Sequence, residues 1–478
     1  MKEHLNALLT YGLNKQIVTN LDQAKENLSK LYETSFDYQA VNQPIEITLE
    51  NLLNWANQKS LFEPNTIEER DSFEAYLFDL IMESPMEVKA HFSKLFKKDK
   101  EQAFDYLYTL SKDINYIKTK RLKENVTFLS DSKYGYLEIT INLSKPEKDP
   151  KDIEKALKEK KIQSEGPKCV ICKENERNYK NARSNLRIIP LELNHKLWHF
   201  QYSPYGYFNE HSIVLSDVHE NMKISDETFI NLLDFLDYMP SYFIGSNADL
   251  PIVGGSILNH DHYQAGRHSF PIEKASVRKT YKPFKEVSIE HLNWPLSTIR
   301  LTSLDKAQLL AVASILLSLW QTYDNEALDI ISNTNQAHNT ITPIARKVGD
   351  LYQFDLILRN NRTTKDYPGG IFHPHEEKWH IKKENIGLIE AMGLAVLPAR
   401  LKQSLKKALD YVNENVIDDS IMVHKAWLDQ LKKTKKHYSL DELYQAVGHV
   451  FEAVLEDCGV FKLDEQGFDA IDSFIKQL

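Results

Sequence analysis

The feature that most constrains this chain is a change of hydrophobic period between residues 125 and 137. Upstream, apolar residues recur at helical spacing, as in Phe73, Tyr76, Leu77 and Leu80, with little Pro or Gly between charged faces. Downstream, Leu137, Ile139, Ile141 and Leu143 alternate with Glu138, Thr140 and Asn142, the period-2 mark of a half-buried strand. Helical and strand textures in separate blocks point to an α+β protein with a helical N-terminal extension.

Further along, residues 186–191 and 211–215 read as strands. Ser225 is placed to cap a helix, because Phe229, Leu232, Leu233 and Leu236 then follow at i, i+3, i+4 and i+7. Residues 251–260 read as a buried strand interrupted by Gly254 and Gly255. A helix is expected over 304–322, opened by Thr302 and Ser303, then strands at 339–345 and 352–358, helix again over 373–401, and a helical tail to Leu478. Residues 144–166, rich in Lys, Glu, Pro and Asp and including Lys158-Glu159-Lys160-Lys161, read as a solvated linker or exposed helix. Strand–histidine–strand texture recurs in 330–400 and suggests a distant internal duplication. The resulting division is 1–130, 131–300 and 301–478.

Bulk properties exclude several classes of function. Hydrophobic residues make up 42% and charged residues 27%, ordinary usage for a globular chain of 478 residues. A net charge of −9 argues against general binding to nucleic acid or to anionic membranes, which needs a basic excess. Met1-Lys2-Glu3-His4 opens no apolar signal run, and the apolar stretch 309–320 is short of the ~20 residues that span a bilayer. A cytoplasmic location is therefore expected.

Chemistry concentrates in Gly254-Gly255-Ser256-Ile257-Leu258-Asn259-His260-Asp261-His262-Tyr263-Gln264. On a strand, His260, His262 and Gln264 share one face while Asp261 and Tyr263 point to the other. Two imidazoles and an amide on one face suit metal binding, phosphate binding or attack on phosphorus. The glycines allow close backbone approach. A lone His-x-His is an ordinary surface pair; His-x-His-x-Gln following a Gly-Gly strand is far more specific. Two of the three cysteines form Cys169-Val170-Ile171-Cys172, the spacing of a zinc knuckle or of a redox dithiol.

These blocks resemble the galactose-1-phosphate uridylyltransferases of the Gram-positive branch, within the histidine-triad superfamily. The likeness is carried by 255–264, by Asn209-Glu210-His211-Ser212-Ile213-Val214-Leu215 and by His338-Asn339-Thr340-Ile341-Thr342-Pro343-Ile344-Ala345-Arg346. Leu356-Ile357-Leu358-Arg359-Asn360-Asn361 and residues 372–401 extend it along essentially the whole chain.

The resemblance implies two histidine-triad-like halves with antiparallel sheets. It implies transfer of UMP from UDP-glucose to galactose-1-phosphate, in ping-pong fashion, through a uridylyl-His262 intermediate. A neutral imidazole suits that role, since it attacks phosphorus readily and leaves it acceptably. Its second nitrogen needs an acceptor, for which a backbone carbonyl serves. Gln264 would donate to a phosphoryl oxygen. Ser256 and Asn259 would contact phosphate or sugar. Asp261 stands where the better-known branch has proline, and pointing away it receives no catalytic role.

A structural zinc ion is implied on Cys169, Cys172, His219 and His260, with His211 as the alternative to His219, and no organic cofactor. A homodimer is implied as well. Arg359 and Asn360 end a strand with donors suited to phosphate or hydroxyls, and Glu390 resembles a family position near the sugar. A second motif, His373-Pro374-His375, carries Glu377 where the first has Gln264, and a carboxylate there would repel phosphate. It is expected to be structural or to line the hexose site, and His373, His375 and His380 are the residues a further metal would use. Trp198 to Phe208 is dense in aromatics that would offer uracil a flat slot, although each residue alone suits a core strand equally. Two rivals remain open: a nucleotide-sugar or dinucleotide phosphorylase or hydrolase using the same His262, and a non-catalytic zinc-containing binding protein.

Overall fold

A computed structural model describes residues 1–62, 66–143, 166–255 and 257–478. The lysine-rich stretch and Ser256 lie outside the described residues. From Lys2–Asn14 to Thr119–Lys123 the chain is helical, as its period demands. A hairpin follows, β1 (Val126–Ser132) and β2 (Gly135–Asn142).

Ten further strands form one antiparallel sheet. They are β3 (Ile189–Leu193), β4 (Lys196–Tyr202), β5 (Ser212–Ser216), β6 (Phe243–Gly245), β7 (His262–Gly266), β8 (Val277–Thr280), β9 (Ser288–Leu292), β10 (Thr298–Ser303), β11 (Asn339–Val348) and β12 (Leu351–Asn360). Their order is β3-β4-β5-β7-β6-β11-β12-β10-β9-β8. Read inward from either edge, the pattern is the same: three strands, a helix crossing one face, then two strands that swap places. The helix is Asp226–Tyr238 in the first half and Lys306–Gln321 in the second. The internal duplication is therefore real at the level of topology, and its repeat begins again at β8, ahead of residue 300.

The pairing makes β12 the counterpart of β7. His373-Pro374-His375 lies beyond β12 and not on it, so the second His-x-His is no structural repeat of the first.

Three expected elements differ. The helix Lys306–Gln321 is capped by Asp305, whose carboxylate accepts from the Ala307 and Gln308 amides, while Thr302 and Ser303 end β10. The described residues of 251–260 form no strand; apart from a bridge between Ala248 and Gly254 they are turn and coil. Pro251 removes a donor, and Ile252 sits at φ +74°, a conformation incompatible with a ladder. Residues 373–401 hold a 3₁₀ turn at Glu376–Lys378, a four-residue helix at Leu388–Ala391 and the strand β13 (Leu394–Pro398) in place of one helix. Pro374, Gly387 and Gly393 (φ +100°) punctuate that stretch. β13 runs parallel to β2, the one departure from antiparallel pairing among the described strands.

Tyr263 and Ala265 of β7 face the crossing helices and join a core that runs without a break into the N-terminal helices. Phe104 meets Phe200 edge-on at 4.9 Å, and the Tyr202 hydroxyl donates to the Phe104 carbonyl. On the opposite face Phe243, Ile344 and Ile357 pack beneath the C-terminal helices in a second core. The candidate site opens on that second face, at the β5–β7 end.

Candidate active site and metal centre

The register of β5 against β7 sets Leu215 opposite His262 and Ile213 opposite Gln264. These four side chains therefore share one face, and Tyr263, stacked on Trp198 at 4.9 Å, takes the other. Asp261 also turns away, toward Glu220 and Asp249, and burial with those neighbours pushes its carboxyl up to about 7.

His262 is buried, and its Nδ1–H donates to the His260 carbonyl at 2.8 Å. That bond fixes the tautomer and leaves Nε2 with a free lone pair. Burial and the nearby His260 hold the ring neutral, with its pKa down to about 4. The Gln264 amide lies on the same face, with Oε1 3.3 Å from Nε2 of His211.

Before β7 residues 251–255 turn tightly. A Cβ on Gly254 would lie 2.4 Å from the Ala248 carbonyl oxygen, and one on Gly255 would meet the Asn247 amide at 2.8 Å. The glycines thus admit the protein's own backbone and Asn247. Asn247 in turn accepts from the Leu388 amide, and Asn385 and Asn361 hold the carbonyls of Gly254 and Pro251. Ile252, at φ +74°, thus sits in a turn tied to neighbouring elements by Asn361 and Asn385.

Cys169, Cys172, His219 and His260 converge so that their donor atoms lie within 4.8 Å of one another. Cys172 Sγ is 3.2 Å from His219 Nδ1, Cys169 Sγ is 3.4 Å from His260 Nδ1, and the sulfurs are 3.4 Å apart. These are the edges of a tetrahedron sized for one cation. His260 Nε2–H donates to the Ser216 carbonyl at 2.9 Å, so Nδ1 presents a lone pair to the centre. Burial raises the Cys169 thiol to about 12, a cost that a bound cation removes by taking the thiolate. The donor set fits a tetrahedral metal. His211 is absent from it.

Asn259 is exposed, and its amide lies 3.4 Å from His219 Nε2, beside the candidate metal ligands. Arg359 is fully buried, donating to the Ile386 carbonyl at 2.8 Å, and its Nε meets no acceptor among the described residues. Asn360 is committed to the fold: Nδ2 donates to Ile331 O and Asn339 Oδ1, and Oδ1 accepts from the Arg362 amide. Glu390 accepts from the buried Lys382 at 3.0 Å, and its charge reaches both Tyr207 and Arg359. His375 stands near Asp457 and Glu377, but Lys378 pairs with both carboxylates and occupies a cation's place. His373 hydrogen-bonds Asn385, and His380 faces His424 at 3.0 Å, so these histidines do not converge. Of the aromatic run, Trp198, Phe200 and Tyr202 are core, while Tyr205 and Tyr207 stack on each other and Tyr207 stacks on His211. An apolar patch that sequence alone did not single out, Ile171, Ile213 and Leu215 with Ile257, flanks His262.

The sequence matches the galactose-1-phosphate uridyl transferase N-terminal domain over residues 18–220 and the C-terminal domain over residues 235–429. The chain belongs to the galactose-1-phosphate uridyl transferase family. The galactose-1-phosphate uridylyltransferase of Clostridium acetobutylicum is 45% identical over all of both chains. That of Lactococcus lactis is 47% identical over 90% of this chain and 88% of its own. Among solved structures, yeast Ap4A phosphorylase aligns with 72% of this chain and 95% of its own at TM-score 0.37 and 9% identity. The N-terminal family domain takes in most of the helical extension, which is thus part of the family's shared architecture.

Proposed function

We propose that this member of the family transfers UMP from UDP-glucose to galactose-1-phosphate, with His262 as the nucleophile. The His262 Nε2 lone pair attacks the α-phosphorus of UDP-glucose, a P–N bond forms, and the bond to the bridging oxygen breaks. Glucose-1-phosphate leaves with that electron pair. A phosphate oxygen of galactose-1-phosphate then attacks the same phosphorus from the side the first product vacated, and His262 is released neutral. Splitting the transfer in two suits a leaving group that is also a good nucleophile. Gln264 donates from its amide to a non-bridging oxygen as charge builds there. The observation that carries this reading is the bond from His262 Nδ1 to the His260 carbonyl, which aims an unprotonated Nε2 along the face shared with Gln264.

The patch of Ile171, Ile213 and Ile257 suits the apolar face of uracil. Arg359, whose buried Nε meets no acceptor among the described residues, is assigned to the phosphate of the sugar phosphate and Glu390 beside it to the sugar. Zinc is the cation the two thiolates and two imidazoles favour. Held there, it ties the knuckle to β5 and β7 and supplies no step of the transfer. Ser256 and Asn259 are assigned to the phosphates on their place in the sequence alone, between the glycine pair and His262.

Intact-mass analysis after incubation with UDP-glucose alone tests the reading. Wild type and His375→Ala should gain one UMP, and His262→Ala none. Galactose-1-phosphate should discharge the adduct as UDP-galactose. Discharge by inorganic phosphate or water at a comparable rate would reassign the chain to a phosphorylase or hydrolase, and an adduct on His262→Ala would end the assignment of the nucleophile.

A further inference from the structure

Gln264 can assist at phosphorus only if its amide presents N–H groups to the reacting face. An amide has two orientations of nearly equal shape, so something must choose between them. His211 immediately precedes β5, two residues before Ile213, the cross-strand partner of Gln264, and its ring reaches the Gln264 side chain. Its Nε2 is 3.3 Å from Gln264 Oε1.

The tautomer of His211 decides which way round the pair sits. Were the Gln264 amino group turned toward His211, Nε2 would have to be bare and the proton would sit on Nδ1. Nδ1 is buried and has no partner among the described residues. A buried N–H without an acceptor is rarer and costlier than a buried acceptor without a donor. A doubly protonated ring is no escape, because burial drives the His211 pKa down to about 3. The proton therefore belongs on Nε2, donating to Oε1, and the Gln264 amino group is left pointing to the face of His262.

The ring is held for this task. It stacks on Tyr207 with centroids 5.2 Å apart and planes 26° from parallel, and packs against Phe208 at 4.5 Å. The preceding residue, Glu210, is buried at φ +56°, where non-glycine residues are uncommon. Tyr242 donates to one Glu210 carboxylate oxygen and Arg267 pairs with the other at 3.2 Å. That anchorage sets the turn delivering His211 to the start of β5.

We propose that His211 is a positioning residue that fixes the Gln264 amide with its amino group toward the phosphoryl oxygen. The proposal rests on the reading of Gln264 as a donor to phosphorus. In the Gln variant at 211, an amide nitrogen reaches the place of the imidazole Nε2; in Asn it stops near Nδ1.

The experiment measures the rate of UMP adduct formation from UDP-glucose for the wild type, His211→Gln, His211→Asn, His211→Leu, Gln264→Ala and the double variant of Leu at 211 with Ala at 264. Losing one transition-state donor costs roughly 10²-fold or more, and losing only its orientation about 10- to 100-fold. We expect His211→Leu and His211→Asn to lose that 10- to 100-fold in rate with the KM for UDP-glucose within about threefold. His211→Gln should recover most of it. The double variant should be no slower than Gln264→Ala, because nothing remains to orient. Equal rates for the Gln and Asn variants would overturn the proposal, even if the Leu variant fails to fold. So would a Leu effect that multiplies in full onto Gln264→Ala. A Gln264→Ala variant with wild-type rate would instead overturn the role of Gln264, which is the prior reading and a separate result.

Discussion

At the scale of single residues, His262 is both a group that reacts and a group that packs, and His262→Gly separates the two. Removing the ring leaves a cavity on the face lined by Leu215 and Gln264, while His260 and its bond to Ser216 stay in place. Imidazole added from solution should occupy the cavity and attack UDP-glucose, giving uridylyl-imidazole, which with galactose-1-phosphate yields UDP-galactose. A tethered nucleophile enjoys an effective concentration of ~10⁵ M or more, so rescue should be partial and should grow linearly with added imidazole. A folded variant that binds UDP-glucose and gives neither product at high imidazole would sink His262 as nucleophile. The facing of His262 and Gln264 was legible in the sequence because period-2 parity survives in even a five-residue strand. The need for a backbone carbonyl at the second nitrogen was legible too, but that it is the His260 carbonyl, two residues back, took the fold. Asn360 was not legible. Its donors suited a sugar, but its partners Ile331 and Asn339 come from another loop and strand, and only the fold brings them near.

At the scale of elements, the metal cluster joins pieces that spacing alone cannot rank. Cys169-x-x-Cys172 announces two ligands; choosing His219 over His211 needs the end of β5, after which the chain turns back toward His260. The loop before β7 misled in another way. Its apolar run suggested a strand, whereas Pro251 and the crowded glycines make it a rigid bend, and propensity could not register contacts to Asn247 and Asn385. Residues 373–401 misled likewise, because their apolar positions serve a strand that pairs with β2 from far earlier in the chain. If the cluster holds zinc, Cys172→Ser should cut metal from near one per chain to a small fraction. The thermal midpoint should fall by about 5–10 °C, since knuckle and strands lose their shared anchor. Adduct formation should fall less steeply than stability. Elemental analysis finding neither zinc nor iron in wild type purified without chelators would remove the metal from this account.

At the scale of the whole molecule, the N-terminal helices are not an appendage, because their residues form one core with the sheet. They also hold the chain that follows the cysteine knuckle. Asp79, on the helix Ile67–Ile81, accepts from Arg187 Nη2 at 2.7 Å and from Arg177 Nε at 3.1 Å, and the Tyr179 hydroxyl donates to it. Lys89 pairs with Glu176, whose other oxygen accepts from the Ile188 amide just before β3. The candidate metal ligands are thus braced from behind by a region carrying no catalytic signature of its own. Both side chains of the Asp79–Arg187 pair are essentially buried, 0% and 1% exposed. Taking one partner from such a pair leaves a charge in low dielectric and costs about 3–5 kcal/mol, whereas replacing both with apolar residues is often near neutral. Asp79→Leu should therefore lower the guanidinium unfolding midpoint markedly, and adding Arg187→Met should restore much of it. If the cluster holds zinc, the single variant should also lose it to a chelator faster than wild type, since the loop from Cys172 to β3 loses its tether; the double variant should stand between them. Additive destabilisation by the two changes, with chelation rates unmoved, would show that the helices only cover the core and have no hold on the site.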